Sequence, residues 1–282
     1  MLIVEREEIN LPQHLQKMIV SGWSEDTLNN TVVESIVYLS DGYKVKGYLA
    51  YPKYIPEGTK LPCILWNRGG AKSRGAIDRF TAKGMYGEMA RWGYIVLASF
   101  YRGSIKGEGE EEFGGADVND IINLKKAAEE LPFADTTRWG IEGWSRGGMM
   151  TWLALQRDHD FKCAVLVGAI SNLKEYSERV PSFKEHYYAL VPNGDFEAEL
   201  AKRTAVNFPD AYPMDVKYLI IHGGADETVP VRQTYQMAEL LTNQGITHRT
   251  VILENGDHYL KNQRKEVERL KKEWYNKYLT EV

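Results

Sequence analysis

The order of apolar runs and helical patterns sets the fold class of this chain. From residue 61 onward, short apolar runs alternate with longer segments whose apolar residues recur at helical spacing. Such an alternation places successive strands parallel to each other, with a helix crossing over the sheet between them. We therefore predict an α/β fold in three layers, with a mostly parallel sheet of eight strands flanked by helices.

The boundaries of these elements follow from the same patterns. The eight candidate strands are Val32–Leu39, Lys44–Tyr51, Cys63–Trp66, Ile95–Phe100, Trp139–Gly143, Ala164–Gly168, Tyr218–His222 and Thr250–Leu253. The candidate helices are Arg79–Arg91, Val118–Glu130, Met149–Arg157, Val231–Asn243 and Lys265–Tyr278. Asp41-Gly42 joins the first two strands, and this dipeptide is typical of a tight hairpin. The first two strands are therefore expected to be antiparallel and to lie at one edge of the sheet.

Two regions, residues 1–30 and residues 171–213, do not follow the alternation of strands and helices. Residues 1–30 are expected to form an N-terminal helical extension, with a helix around Leu11–Ser21. Residues 31–282 are expected to form one α/β domain, because they contain no internal repeat and no low-complexity linker. Within that domain, residues 171–213 are expected to form helices and loops over the active-site edge of the sheet. Four prolines interrupt this stretch: Pro181, Pro192, Pro209 and Pro213.

Composition and charge argue against several classes of function. The net charge is −4, with both signs mixed along the chain, which does not favour nucleic acid or a membrane surface as a partner. The N-terminus does not have the pattern of a secretory signal, and no apolar stretch is long enough to span a bilayer. Cys63 and Cys163 lie in apolar runs and are expected to be buried thiols. We expect a cytoplasmic globular protein, and homo-oligomerisation stays open.

The segment Gly143–Gly148 reads Gly-Trp-Ser-Arg-Gly-Gly and contains the pattern Gly-x-Ser-x-Gly. In this pattern the serine occupies a strained turn between a strand and a helix, and the glycines let the two elements pass closely. A predicted strand precedes the segment and a helical pattern follows it from Met149. The sequence therefore predicts Ser145 as the nucleophile of an acyl-transfer reaction.

A nucleophilic serine needs a general base, and the base needs an acid that fixes its tautomer. His258 follows the last predicted strand, and Asp226 follows the strand before it. Loops at the carboxyl ends of parallel strands collect at one edge of the sheet, where chemistry takes place. We therefore predict His258 as the base and Asp226 as the acid, with Glu227 as a rival for the acid. A second histidine, His222, is expected to pack locally.

The negative oxygen of a tetrahedral intermediate needs hydrogen-bond donors. One expected donor is the backbone N–H of Arg146, the residue after the nucleophile. A second is expected from the loop that follows the strand Cys63–Trp66, where Gly69 or Gly70 could present its N–H. The sequence therefore predicts an oxyanion hole built from two separate segments.

Several motifs together resemble the catalytic domain of prolyl oligopeptidase-type serine peptidases, especially the acylaminoacyl-peptidase branch of the α/β-hydrolase superfamily. The similar segments are Phe100–Ser104, Phe113–Asp117 with Asp120, Gly143–Gly148, Phe161–Val165, Ile221–Asp226 with Val229-Pro230, and Asp257-His258. The resemblance covers residues 32–275 and implies a serine peptidase that acts on short peptides. This reaction uses no metal and no organic cofactor.

Three departures from the family pattern bear on the substrate. Family members often carry a β-propeller before the catalytic domain, and no propeller is expected here. Arg68 stands where the family usually has the histidine of His-Gly-Gly-Pro, and residues 106–112 replace a common Gly-Tyr-Gly. These changes leave hydrolysis intact but keep a second interpretation open, a carboxylesterase acting on small acyl esters. A third interpretation is a non-catalytic binding protein on a hydrolase scaffold.

Three further side chains are candidates for substrate contact: Arg68, Tyr101 and Trp144. The acidic run of Glu108 and Glu110–Glu112 is typical of solvated surface. Two alternatives are that it attracts the amino group of a substrate or that it pairs with Arg68 and Arg146. Asp117 is expected to cap a helix. No group of histidines and cysteines has the spacing of a zinc site, so no metal is expected.

Overall fold

A nine-stranded mixed sheet forms the centre of the molecule in the computed structural model, which describes residues 1–105, 107–180, 183 and 195–280. The strands are β1 (Ile3–Glu8), β2 (Thr31–Ser40), β3 (Tyr43–Pro52), β4 (Leu61–Asn67), β5 (Ile95–Ser99), β6 (Ala134–Trp144), β7 (Cys163–Val167), β8 (Lys217–Gly223) and β9 (His248–Leu253). Their order across the sheet is β1-β2-β3-β5-β4-β6-β7-β8-β9. The first three strands pair antiparallel with their neighbours, and β3 pairs antiparallel with β5. From β5 to β9 all pairs are parallel.

The described residues also form α-helices between the strands. They are α1 (Gln13–Gly22), α2 (Glu25–Asn29), α3 (Arg79–Arg91), α4 (Asn119–Ala127), α5 (Arg146–Leu155), α6 (Leu173–Arg179), α7 (Phe196–Lys202), α8 (Arg232–Asn243) and α9 (Arg264–Tyr275). Shorter helical turns lie at Ala116–Val118, Ala128–Glu130, Ala205–Asn207, Pro209–Ala211, Lys261–Gln263 and Asn276–Thr280. The five predicted helices are all present. α5 begins three residues before the predicted start, because it follows Ser145 without a loop.

The sheet has a hydrophobic core on each of its faces. In β5 the residues Ile95 and Leu97 belong to one core, whereas Val96 and Ala98 belong to the other. Helices α4, α5 and α8 cover the first face, and α3 and α9 cover the second. Consecutive side chains of a strand point to opposite faces, so a strand without polar positions must be covered on both sides. The predicted three-layer α/β fold is therefore confirmed.

The predicted number of eight strands is corrected to nine, because β1 lies in the N-terminal region that was expected to be helical. β1 pairs with β2, and Glu5 lies opposite Val37. Of its six residues only Ile3 is buried, so the apolar alternation that marks a strand is missing. Charged residues on an edge strand discourage pairing with another molecule. The expected helix around Leu11–Ser21 is present as α1.

Three other expectations concern residues 171–213, the two cysteines and membrane-spanning helices. The described part of residues 171–213 contains α6, α7 and two short turns, while Pro181 and Pro192 lie outside the described residues. Cys63 and Cys163 are buried and free. Within residues 1–105, 107–180, 183 and 195–280, no helix combines the length and the apolar character that crossing a membrane requires.

The parallel strands bring the predicted site residues to one edge of the sheet. β6 ends at Trp144, so Ser145 is the first residue beyond it. Asp226 lies in the loop after β8, and His258 lies in the loop after β9. The loop that contains Gly69 follows β4, which is the neighbour of β6. Segments far apart in sequence therefore converge at the carboxyl ends of neighbouring strands, as expected for an α/β sheet.

Candidate active site

Ser145 occupies a strained turn between β6 and α5. Its φ of 57° and ψ of −122° lie outside the regions that L-residues favour. Backbone hydrogen bonds fix this conformation: the Ser145 N–H donates to Val167 O at 2.9 Å, and the Ile170 N–H donates to Ser145 O at 3.2 Å. The strand-to-helix turn predicted from Gly143–Gly148 is present, and Ser145 is partly exposed.

The glycines around Ser145 permit close approach of backbone segments. A Cβ at Gly143 would lie 2.0 Å from Gly147 O, and a Cβ at Gly147 would lie 1.9 Å from Asn67 O. Neither distance is possible between non-bonded atoms. The turn therefore needs glycine at both positions, and Gly147 lets α5 pass over the end of β4.

Gly147→Ala should destabilise the protein, although alanine is normally the better helix former. The added methyl group must push α5 away from β4, and we expect a loss of about 3 kcal/mol in the free energy of unfolding. Urea unfolding of the purified variant measures this loss. Gly22→Ala in α1 is the matched control, since nothing lies within 4 Å of its added Cβ. It should be neutral or stabilising, and equal losses of stability in the two variants would contradict the close packing of Gly147 against the end of β4.

Asp226 and His258 form a hydrogen-bonded pair. His258 Nδ1 donates to Asp226 Oδ2 at 2.7 Å, and the other carboxylate oxygen accepts from the N–H groups of Thr228 and Val229, each at 2.8 Å. Burial by itself raises the pKa of Asp226, but hydrogen bonds from His222 and His258 outweigh it and lower the pKa well below its ordinary value. The carboxylate is therefore ionised and able to stabilise an imidazolium. The rival acid, Glu227, is exposed.

The serine and histidine loops are joined directly. The indole Nε1 of Trp144, the residue before Ser145, donates to the backbone oxygen of His258 at 3.0 Å. Gly168, beyond β7, borders the same place, because a Cβ there would lie 3.5 Å from both His258 Nδ1 and Asp226 Oδ2. The structure thus brings Asp226 and His258 into contact and joins their site to the turn that carries Ser145 through Trp144. Gly168 is a neighbour that the sequence reasoning did not identify.

The two predicted segments of the oxyanion hole also meet beside Ser145. A Cβ at Gly69 would lie 3.4 Å from Ser145 Cβ and 4.0 Å from Ser145 Oγ. Arg146 is the first residue of α5, and the first N–H groups of an α-helix have no partner within the helix. The arrangement can therefore present backbone donors from both sides of the serine.

A buried ion-pair network lies behind this loop. The Arg146 guanidinium pairs with Glu111 and with Asp117 Oδ2, the latter at 2.8 Å. The same guanidinium donates to Gly70 O at 2.7 Å, and the Lys72 N–H donates to Glu111 Oε2 at 2.6 Å. The side chains of Arg146, Glu111 and Asp117 are at most 1% exposed. Their charges therefore tie the segment after β4 to the start of α5.

Two predicted substrate contacts are wrong. Arg68 is 1% exposed, and each of its five N–H bonds has a protein acceptor. Tyr101 is fully buried, with its hydroxyl donating to Arg68 O at 3.1 Å and its ring against the Arg68 and Arg146 guanidinium groups. Both side chains are therefore buried away from any substrate. Trp144 is partly exposed and stays a candidate.

The acidic run does not behave as one surface. Glu108 and Glu110 are exposed, as expected, but Glu111 is buried in the ion-pair network. The alternative in which the run pairs with arginines therefore holds for Glu111. Asp117 lies in a short turn before α4 and pairs with Arg146 instead of capping that helix. Lys106, at the start of the segment that departs from the family pattern, lies outside the described residues.

Glu111→Ala should lower the free energy of unfolding by about 3–5 kcal/mol, because it leaves Arg146 buried with one partner fewer. Glu110→Ala, one residue away and exposed, should leave the stability unchanged. Urea unfolding of both variants at neutral pH makes the comparison. If the two variants unfolded at the same denaturant concentration, the buried network would not exist as described.

His222 was expected only to pack locally, but it also lies beside the predicted acid. Its Nε2 lies 3.2 Å from Asp226 Oδ2. The spacing His-x-x-x-Asp at the end of a strand was the one sign in the sequence that His222 and Asp226 could be neighbours. This spacing does not by itself show that the two side chains meet. Across the described part of the chain, no group of three or more histidine, cysteine, aspartate or glutamate side chains is arranged to hold a metal ion.

Comparison with known proteins places these features in a family. The model of the prolyl oligopeptidase family matches residues 85–281. The chain is 29% identical over 208 residues to the uncharacterized peptidase YtmA of Bacillus subtilis, covering 73% of this chain and 78% of the relative. It is 27% identical over 225 residues to dipeptidyl peptidase 4 of Sus scrofa, covering 77% of this chain but 29% of the relative.

Solved structures support the same fold. Acylaminoacyl peptidase from Pyrococcus horikoshii superimposes with a TM-score of 0.76 at 22% identity, covering 92% of this chain and 43% of the archaeal protein. The chain thus spans less than half the length of the pig and archaeal proteins. The family model covers well over half of the 282 residues, so the resemblance expected from the motifs is confirmed and the chain belongs to the prolyl oligopeptidase family.

Proposed function

We propose that this chain is a serine peptidase that cleaves short peptides through an acyl-enzyme on Ser145. The observation that carries the proposal is the 2.7 Å hydrogen bond from His258 Nδ1 to Asp226 Oδ2 at the edge of the sheet where Ser145 is presented. Membership of a family that includes peptidases supports an amide substrate. A peptidase of Bacillus subtilis and dipeptidyl peptidase 4 of the pig are among the similar proteins.

The first half of the proposed reaction forms the acyl-enzyme. Because Nδ1 of His258 carries the proton donated to Asp226, Nε2 is the free base. It accepts the Ser145 hydroxyl proton as Oγ attacks the carbonyl carbon of the substrate. The tetrahedral oxygen accepts hydrogen bonds from the N–H of Arg146 and from that of Gly69 or Gly70. The imidazolium then protonates the leaving amine, and the C–N bond breaks.

The second half releases the acid. Water attacks the acyl carbon, gives a proton to His258 Nε2, and displaces Ser145 Oγ, which recovers its proton from the imidazolium. The ionised Asp226 stabilises the positive charge on His258 in both halves. The buried pairing of Arg146 with Glu111 keeps the segment after β4 against the start of α5. Apart from the attacking water, each step therefore uses groups of the chain itself and needs no cofactor.

The proposal is tested by a panel of amide and ester substrates, applied after labelling with a fluorophosphonate probe. We expect the probe to label Ser145 and to abolish cleavage of aminoacyl anilides and short peptides in parallel. Turnover of short-chain aryl esters with no amide cleaved would overturn the peptidase proposal in favour of a carboxylesterase. Failure of both labelling and turnover would overturn the hydrolase proposal as a whole.

A further inference from the structure

His222 is the last but one residue of β8 and lies four positions before Asp226. Its side chain is fully buried. Nδ1 lies 2.6 Å from Thr234 Oγ1, whereas Nε2 lies 2.9 Å from Val229 O and 3.2 Å from Asp226 Oδ2. The ring thus spans the space between α8 and the loop that holds the acid.

The partners of His222 determine where its proton lies. A backbone carbonyl oxygen and a carboxylate oxygen both face Nε2, and neither can donate a hydrogen bond. Nε2 therefore carries hydrogen and shares it between Val229 O and Asp226 Oδ2. Nδ1 accepts from the Thr234 hydroxyl, which can rotate to donate. A neutral His222 satisfies all these contacts.

These contacts complete the coordination of the Asp226 carboxylate. Oδ1 accepts from two backbone N–H groups, and Oδ2 accepts from His258 Nδ1 and faces His222 Nε2. Four donors around one carboxylate prevent it from rotating, so His258 has one acceptor in one position. Among the described residues, the basic side chains with a nitrogen within 4.0 Å of the Asp226 carboxylate are His222 and His258.

We propose that His222 is a positioning residue that holds the Asp226 carboxylate and moderates its negative charge toward His258; this inference rests on the proposed function. Its N–H draws part of the charge of Oδ2. Without that donor, Oδ2 would hold the proton of the His258 imidazolium more strongly. The base would then become neutral only at a higher pH, and the acid would be less well oriented.

Two variants differing by one methylene group separate these effects. In His222→Gln the amide nitrogen reaches the position of Nε2 and keeps a donor for Asp226. In His222→Asn the amide reaches only the position of Nδ1, beside Thr234, so that Asp226 loses its fourth donor. We expect His222→Asn to lower kcat by about tenfold with little change in KM, as for loss of one hydrogen bond. The acidic limb of its kcat/KM profile should move to higher pH by about half a unit. His222→Gln should stay close to wild type in both.

Thr27→Val controls for the loss of a buried hydrogen bond. Thr27 is fully buried and donates to Glu88 in the N-terminal part of the molecule. This variant should lose stability without a change in the pH profile. Unfolding by urea of all three variants shows how much of any kcat loss follows stability alone. If His222→Asn kept the wild-type kcat and acidic limb, or if the two His222 variants lost kcat equally with an unmoved limb, the inference would be wrong.

A spectroscopic measurement separates this inference from the proposed function. The proton NMR resonance of His258 Nδ1–H reports the hydrogen bond to Asp226 without any substrate. It should shift in His222→Asn and stay in place in His222→Gln. If the wild type cleaves no substrate but the resonance behaves in this way, the proposed function fails and the positioning contact stands. An unchanged resonance in His222→Asn, in an active protein, would overturn the inference alone.

Discussion

Ser145→Ala should lower kcat/KM for every amide and ester substrate by about 10⁵-fold or more, while the protein stays folded. The hydroxyl is the attacking group of the proposed reaction, and no other side chain can replace its position at the turn. The strained φ of 57° is held by backbone hydrogen bonds to Val167 and Ile170, which alanine keeps. We therefore expect unfolding by urea at the wild-type midpoint.

The measurement needs a sensitive substrate and a control serine. A fluorogenic amide allows the residual rate to be compared with the uncatalysed rate, and the fluorophosphonate probe should no longer label the variant. Ser35→Ala on β2, away from the site, should keep full activity. A Ser145→Ala protein within tenfold of the wild-type rate would place the nucleophile elsewhere in the chain.

Local patterns were sufficient to predict the fold in most respects. Val96 and Leu97 belong to opposite cores, and a continuous apolar run of this kind indicates a strand buried on both faces. β1 was not predicted, because Glu5, Arg6 and Glu7 are exposed and the strand is held mainly by backbone pairing with β2. Backbone pairing leaves no trace in the order of side chains. The edge of the sheet that β1 forms was therefore the part least predictable from the sequence.

The candidate site could be predicted where chain order and strand ends determine position. Ser145, Asp226 and His258 each follow the carboxyl end of a strand, so the topology alone brings them to one edge. The fate of the charged residues could not be predicted in the same way. Glu111 lies in an acidic run typical of surface, and its burial depends on Arg146, 35 positions away in the sequence. Which charges neutralise each other is decided only by tertiary packing.

Asp226→Asn should lower kcat/KM at neutral pH by about 10⁴-fold, because the substitution reverses the hydrogen bond to His258. The backbone N–H groups of Thr228 and Val229 require an acceptor at Oδ1, so the amide oxygen of the asparagine must stay there. The amide nitrogen then faces His258 Nδ1 and donates to it. This places the imidazole proton on Nε2, where it blocks acceptance of the Ser145 proton.

The same variant should lose stability in a pH-dependent way. The pKa of Asp226 is lowered in the folded state. The ionised carboxylate therefore stabilises the fold at every pH above the pKa of aspartate in the unfolded chain, which is about 4. This contribution disappears as the pH falls through the folded-state pKa. We expect Asp226→Asn to lower the free energy of unfolding by about 2 kcal/mol at pH 7. The difference from wild type should shrink in strong acid.

Kinetics and unfolding together test the role of Asp226 against that of its neighbour. Glu227→Gln is the matched control, because Glu227 is exposed and next in sequence, and it should keep the wild-type rate. The asparagine amide nitrogen would also face the Nε2–H of His222, 3.2 Å from Oδ2 in the wild type, so two donors would oppose each other. Flipping the amide would relieve that repulsion, but it would leave the two backbone N–H groups of Thr228 and Val229 facing an amide nitrogen. Two opposed pairs of donors cost more than one, so the amide is expected to stay unflipped. The two variants are compared by kcat/KM. A loss of less than tenfold in Asp226→Asn, with a large loss in Glu227→Gln, would transfer the orienting role to Glu227.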